Sequence, residues 1–386
     1  MSPVLETLAA LVRINSVNPE WGGPGEKEMV AHLERSFAEV DLETITEEVL
    51  PGRSNLIVRV PGRDPHRCVL LEAHLDTVSV ADMTIPPFDP VISDGRLFGR
   101  GACDVKGGLA AMMQAVRDLA ESGTPPPCEV IFAAVIDEEH HYRGVTALIE
   151  WLRRRGRPLP EAAVVAEPTE LRVVRANKGV LRFRVITRGK SAHSAKPHLG
   201  RNAIVAMAPV IELLDREAAR LARESDHPLL GPATLSIGVI EGGAQVNFVP
   251  EHCAVSIDRR LLPGESGEFV LDHLENLLGE LRADHPDLEV EIERPPQLVD
   301  EAMETPVDSP VVATASAVLK NLGENAEPVG VPFGCDCTKL SRAGIPSVIF
   351  GPGSIDQAHG AVEFVETAQV EKAVEFYRDF VFNFGS

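Results

Sequence analysis

The sequence predicts an α/β protein: a largely parallel sheet with helices on both faces, interrupted by an inserted α+β domain. Three observations predict it. Helix and strand patterns alternate from the N-terminus to about residue 170 and resume after residue 296, which is the signature of strands joined by crossover helices. Some strand candidates, such as residues 130–136, are unbroken apolar runs, as strands buried on both faces are. Between the two stretches the order becomes β-α-β-β-α-β, a ferredoxin-like split βαβ arrangement. A chain of 386 residues also accommodates two domains more readily than one.

Taken in order, Leu5, Leu8, Leu11 and Val12 mark the apolar side of an N-terminal helix, and Met29, Val30, Leu33, Phe37 and Val40 that of a second. Residues 56–60 and 69–73 read as strands, 107–119 as an apolar helix opened by two glycines, 130–136 as a strand and 146–154 as a helix. Near Asn177 the texture changes, because Leu181, Phe183 and Val185 alternate with Arg182, Arg184 and Ile186, the period of a half-exposed strand. A helix over 202–223, strands over 233–239 and 254–259, a helix over 269–282 and a strand over 288–292 complete the insert, which Pro295 and Pro296 close. A helix over 309–322 and a strand over 347–350 return to the first pattern. The expected division is therefore 1–176 with 294–386 as one domain and 177–293 as the insert. Arg182, Arg184 and Arg188 share one side of the insert's first strand, a pattern compatible with edge pairing in a homodimer or with plain solvation.

Composition narrows the function classes. A formal charge of −21 argues against nucleic acid or an anionic membrane as the main partner. Cysteines at 68, 103, 128, 253, 335 and 337 include no Cys-x-x-Cys pair, so free thiols in a reducing cytosol are expected rather than a zinc finger. The start lacks a basic region followed by a cleavage site, and no apolar run is long enough to span a bilayer, so the expected location is cytoplasmic.

The chemistry is written at the ends of the apolar runs. Residues 70–73 lead to His74-Leu75-Asp76, and residues 130–136 lead to Asp137-Glu138-Glu139. Residues 163–166 lead to Glu167, and residues 348–350 pass through glycines to His359. Asp104 sits in a glycine-rich turn before the third helix. In α/β sheets the crevice beyond the strand ends binds ligands. Acids that converge there repel one another unless a cation lies between them. His74 and Asp76, at i and i+2, share one side of a strand, so Asp76 can neighbour the His74 imidazole. Asp104 stands where a dinucleotide-binding loop would need its last glycine, and its charge opposes a pyrophosphate. Adjacent glutamates diverge at a strand end, which lets one hold metal while its neighbour handles protons. His140 and His141 lie at the crevice edge. Two histidines with three carboxylates match a two-metal hydrolytic site with one bridging acid, and their N and O donors suit Zn²⁺, Co²⁺ or Mn²⁺.

These motifs resemble those of the di-zinc amidohydrolases that include acetylornithine deacetylase, succinyl-diaminopimelate desuccinylase, carboxypeptidase G, aminoacylase and the dinuclear aminopeptidases. The resemblance rests on His74-Leu-Asp76, on Asp94 through Gly101 and Asp104-Val-Lys-Gly-Gly, on Asp137-Glu-Glu139, on Lys190-Ser-Ala-His193, and on Gly351-Pro-Gly to His359. It spans nearly the whole chain. It implies a zinc-peptidase-like fold whose insert serves as lid and dimerisation domain, and two divalent ions, zinc first among them. His74, Asp104 and Glu167 would hold one ion, and Asp104, Glu139 and His359 the other. Asp76 would orient His74, Glu138 would be the general base, and His193 would stabilise the oxyanion. Asn247 and Arg259 resemble the family's positions near a substrate carboxylate, a task that suits a guanidinium.

The implied reaction is amide hydrolysis of an N-acyl amino acid, with a carboxypeptidase or aminotripeptidase activity on short peptides as the alternative. A non-catalytic amino-acid-binding scaffold is the competitor from another class, and it would require a missing ligand or base. The chain departs from its relatives at Gly334-Cys335-Asp336-Cys337 and at His140-His141-Tyr142, either of which can alter specificity.

Overall fold

A computed structural model describes residues 1–385 and resolves them into two compact units. The first comprises Met1–Arg175, Thr305–Val329 and the chain from Cys335 onward; the second comprises Ala176–Glu304 and Gly330–Gly334.

In the first unit the strands Glu43–Leu50, Arg53–Val60, Cys128–Val135, Asp64–His74, Ala162–Val165 and Ser347–Ile349 lie side by side in that spatial order. The last four are parallel to one another. The hairpin Glu43–Leu50 with Arg53–Val60 runs antiparallel at one flank, so the sheet is mixed. Its edge strand is rich in Glu and Thr with exposed side chains, which protects an open edge and erases the apolar period that marks the inner strands.

Strand parity sorts the core. Val69, Leu71 and Ala73, with Val130, Phe132 and Ala134, face a cluster that includes residues of the helices Pro3–Arg13, Lys27–Ala38, Gly107–Glu121, Pro310–Asn321 and Thr367–Asn383. The opposite face is covered by Arg143–Arg154 and Cys337–Arg342. Phe350, just past the strand Ser347–Ile349, stacks on Phe376 at 3.6 Å between ring centroids, and the Tyr377 hydroxyl donates to the Phe350 carbonyl at 2.6 Å. That packing fixes where the chain leaves the sheet on its way to His359.

In the second unit the strands Thr234–Gly242, His252–Leu261, Gly179–Arg188 and Glu289–Ile292 form an antiparallel sheet in that order, with Leu298–Asp300 also paired to Gly179–Arg188. This last pairing carries the unit past Pro295 and Pro296. Leu181, Phe183, Val255 and Ile257 pack against the helices Ala203–Glu224 and Gly267–Asp284. Asn202 and Ser266 cap the two helices by accepting from Ile204 N and Phe269 N. Both edges of Gly179–Arg188 are occupied, so Arg182 and Arg188 do not line an open edge as the sequence allowed. They cross to the neighbouring strands, Arg182 to Asp258 at 2.9 Å and Arg188 to Glu291 at 3.0 Å.

No described helix is long and apolar enough to cross a membrane. The Phe350–Phe376 stack joins the last helix to the sheet, so Phe376→Ala is expected to destabilise the first unit by about 3–5 kcal/mol. Urea denaturation followed by far-UV circular dichroism measures it.

Candidate metal centre

Four parallel strands discharge their chemistry at one edge. Asp64–His74 ends on His74, Cys128–Val135 runs on to Glu138 and Glu139, Ala162–Val165 runs on to Glu167, and the loop after Ser347–Ile349 reaches His359. Asp104 enters from the turn before Gly107–Glu121. The two oxygens of Asp104 face different histidines: Oδ1 lies 3.0 Å from His74 Nε2, and Oδ2 lies 3.1 Å from His359 Nε2. His359 Nε2 is also 3.2 Å from Glu139 Oε2. Single donor atoms of His74, Asp104 and Glu139 lie within 4.8 Å of one another, and so do those of His74, Glu138 and Glu167. His74 and the carboxylates are buried to solvent or nearly so, whereas half of the His359 side chain is exposed, 50%.

Main-chain hydrogen bonds hold these groups in place. The Glu363 carboxylate accepts from Gly101 N at 3.1 Å, Cys103 N at 2.9 Å and Asp104 N at 3.1 Å, and from Arg100 Nη1 at 2.6 Å. Gly101 has φ +78°, and a Cβ there would stand 2.8 Å from Thr77 Cγ2, so the turn needs glycine for both conformation and space. The Asp76 carboxylate was expected to orient His74. Instead it accepts from Glu138 N at 3.1 Å, Glu139 N at 3.2 Å and Asn18 Nδ2 at 2.8 Å. Its nearer oxygen is 3.8 Å from His74 Nδ1, and the Asp76 main-chain carbonyl makes the closer contact with that nitrogen at 3.0 Å.

Asp137 turns the chain with φ +65° and lies outside both donor clusters. It accepts from Asn18 Nδ2 at 2.9 Å and Arg53 Nη2 at 3.1 Å, and Arg53 in turn pairs with Glu26 at 2.7 Å. Asn18, Glu26, Arg53 and Glu363 thus support the centre although sequence reasoning did not single them out. The Asn18-Pro19 turn signal was the one local hint.

Electrostatics tests whether the site suits cations. Burial, reinforced by the neighbouring acids, holds Glu138 and Glu167 well above the usual carboxylate range. Burial and the Asp104 charge push Glu139 up to about 7. Burial also opposes charge on Asp104, yet hydrogen bonds from His359 and His74 outweigh it and lower its pKa. Hydrogen bonds to Asp104 and Glu139 raise His359 to about 11 against the effect of its own burial. Four carboxylates and two imidazoles therefore share a volume where full ionisation of the acids is unfavourable without added positive charge. Neither donor cluster includes a thiol, and this N and O set fits borderline divalent ions.

The remaining predicted residues lie in the second unit. Ala192–His193 pairs with Phe248–Val249, and Ser194 N donates to the Asn247 carbonyl at 3.0 Å, so the exposed His193 and Asn247 are neighbours. Arg259, expected beside a substrate carboxylate, is 2% exposed and gives Nη2 to Glu265 at 2.6 Å. It shares strand parity with Val255, Ile257 and Leu261, which face the helix-packed core, so its guanidinium is committed internally. Arg260, one residue on, has the opposite parity and pairs with Asp258 at 2.8 Å. His140 and His141 directly follow Glu139 in the chain, and Cys335 and Cys337 are buried.

The profile of peptidase family M20/M25/M40 matches residues 70–383. An acetylornithine deacetylase of Myxococcus xanthus is 31% identical over 362 residues, spanning 93% of this chain and 91% of that protein. A succinyl-diaminopimelate desuccinylase of Cereibacter sphaeroides is 32% identical over 392 residues, 98% of this chain and 97% of that protein. The crystal structure of aminopeptidase PepT from Bacillus cereus has the same fold, with a TM-score of 0.78 at 22% identity over 99% of this chain and 98% of that one. With donor clusters at the strand ends and a match that takes in most of its length, the chain belongs to the M20/M25/M40 peptidase family.

Proposed function

We propose that this protein is a two-metal hydrolase that cleaves the amide bond of an N-acyl amino acid. The observation that carries the reading is the Asp104 carboxylate, which offers one oxygen toward His74 and the other toward His359, as an acid shared between two ions must. In this reading His74, Asp104 and Glu167 hold one ion, and Asp104, Glu139 and His359 hold the other. Zn²⁺ is the proposed occupant; Co²⁺ and Mn²⁺ suit the same donors. Bound there, the ions supply Lewis acidity toward the scissile carbonyl and acidify an adjacent water.

The proton traffic falls to Glu138. It lies beside His74 and Glu167, and its buried carboxyl has a raised affinity for protons. It takes a proton from the attacking water, holds it on a carboxylate oxygen, and returns it to the amide nitrogen as the C–N bond breaks. Asp76 fixes the Glu138 and Glu139 main chain and so aims both side chains. His193 accepts from Ala195 N through Nδ1 at 3.1 Å, which leaves Nε2 as the protonated nitrogen able to donate to an oxyanion. With Arg259 turned into the helix-packed core, Asn247 and Arg260, the latter on the opposite face of the strand, become the proposed partners of a substrate carboxylate. Homodimerisation through the second unit is also proposed, supported by the outer strand Thr234–Gly242 and the exposed Val239 and Ile240 upon it.

Glu138→Gln is expected to retain about two ions per chain by metal analysis and to lose 10²–10⁴-fold in kcat, on the order of a lost general base. A panel of N-acetyl and N-succinyl amino acids set against tripeptides tests the substrate class, and cleavage confined to peptides would move it. Burial raises the proton affinity of Glu139 and Glu167, and the Asp104 and Glu139 carboxylates raise that of His359, so metal binding at these ligands is expected to displace protons. Metal affinity should rise with pH through neutrality, and calorimetry in buffers of different ionisation enthalpy should register net proton release. Arg260→Ala should raise KM with little change in kcat, whereas Arg259→Ala should lower thermal stability and leave KM alone.

A further inference from the structure

His140 and His141, which directly follow Glu139, join Trp21 in a cluster of rings. His140 and His141 lie 3.8 Å apart between centroids and are tilted by 32°. Trp21 meets His140 edge-on, 6.1 Å between centroids at 79°. Two nearly perpendicular planes make a corner, and a flat ring entering it can lie against one plane while presenting its edge to the other. The corner is also held rigidly to the centre. Asn18, which caps the turn Pro19–Trp21 through Glu20 N, gives its amide to both Asp76 and Asp137. His140 follows Glu139 directly, and the Glu139 carboxylate meets His359. Trp21 is nevertheless 40% exposed, so its surface is accessible to a ligand.

We propose that Trp21, His140 and His141 form a recognition corner for an aromatic ring of the substrate, which makes the preferred substrate an N-acyl amino acid with an aryl group on its side chain or its acyl group. This rests on the hydrolase reading of the adjacent centre. The corner contributes through ring contact rather than charge, so selectivity follows the ring and not the net charge of the substrate.

The test compares kcat/KM of the zinc-loaded enzyme for N-acetylphenylalanine and N-benzoylalanine, each relative to N-acetylalanine, with N-acetyllysine as a cationic control. The first two arms separate a ring on the amino acid from a ring on the acyl group. Trp21→Leu should cut the aromatic preference about five- to tenfold in at least one arm, as expected for a lost aromatic pair. Trp21→Phe should keep most of it, and His141→Ala should lower it in the same arm. An unchanged ratio in both arms, or a preference for N-acetyllysine that Trp21→Leu abolishes, overturns the proposal.

A binding measurement separates this outcome from failure of the hydrolase reading. The chain has two tryptophans, Trp21 and Trp151. Saturable quenching of fluorescence by N-acetylphenylalanine in zinc-loaded Glu138→Gln protein, lost when Trp21→Leu is added, supports the corner even if no panel member is hydrolysed. Absence of quenching by both aromatic ligands overturns it even if hydrolysis is observed.

Discussion

Everything at the centre depends on one electrostatic constraint: four carboxylates brought together in a buried volume. Asp104, the adjacent pair Glu138-Glu139, and Glu167 come from three separate parts of the chain, and parallel pairing delivers three of the four acids to the same ends of neighbouring strands. Burial favours their neutral forms. Two histidines relieve part of the repulsion, most completely at Asp104, which is the one acid of the four with a lowered pKa. The others are held ready to exchange protons for divalent charge. A fold that buries such a set without paying for it elsewhere would be unstable, so the arrangement itself is evidence of cation binding.

The surrounding framework explains how the acids stay in place despite their repulsion. Strand ends set the approximate positions, and charged side chains then grip the main chain next to each acid. Glu363 gathers the amides of residues 101, 103 and 104, while Asp76 gathers those of 138 and 139. Asn18 ties Asp76 to Asp137, and Arg53 ties Asp137 to Glu26. These bonds carry charge and are shielded from water, the setting in which a hydrogen bond is strongest and an unmade one is most costly. Positioning is thus separated from chemistry: the groups facing the site are free to bind and titrate because others fix their backbones.

The same separation decides what could be read from the sequence. His74, Asp104, Glu139 and His359 were legible because each stands against a contrasting local background, an apolar run or a glycine-rich turn, and the structure brings them together. Glu138 and Glu167 were legible for the same reason. The supporting shell was not, since nothing near Glu363 in the chain indicates that it closes a turn more than two hundred residues earlier. The Asp76 carboxylate was placed correctly beside His74 by strand parity, but parity does not say which of several nearby donors it will accept from. The error at Arg259 has a similar origin. Two adjacent arginines offer equal chemistry, and only the packing of the neighbouring helix shows which one points into the core. The hairpin strand Glu43–Leu50 escaped notice because an edge strand protected by glutamates has no apolar alternation to display.

The proposed metal ligands and the proposed substrate-selecting residues sit on backbone of different kinds. His74 and Glu167 end or closely follow parallel strands, where a shift of one residue would reverse every buried side chain behind them. The ring-bearing segment lies between two left-handed residues, Asp137 at φ +65° and Tyr142 at φ +58°, in a turn that hands the chain to the helix Arg143–Arg154. Such a turn tolerates exchange of exposed side chains while its two ends stay fixed. The strand ends therefore constrain the proposed ligands more tightly than the turn constrains the exposed rings at its rim. In this chain the rim carries Tyr142 within cation–π distance of Lys339, 3.0 Å from the ring centre, so the turn is also anchored to the helix Cys337–Arg342 on its far side. Selectivity arises from a corner that is rigid although exposed, because every segment that forms it is fastened to the same buried frame as the acids.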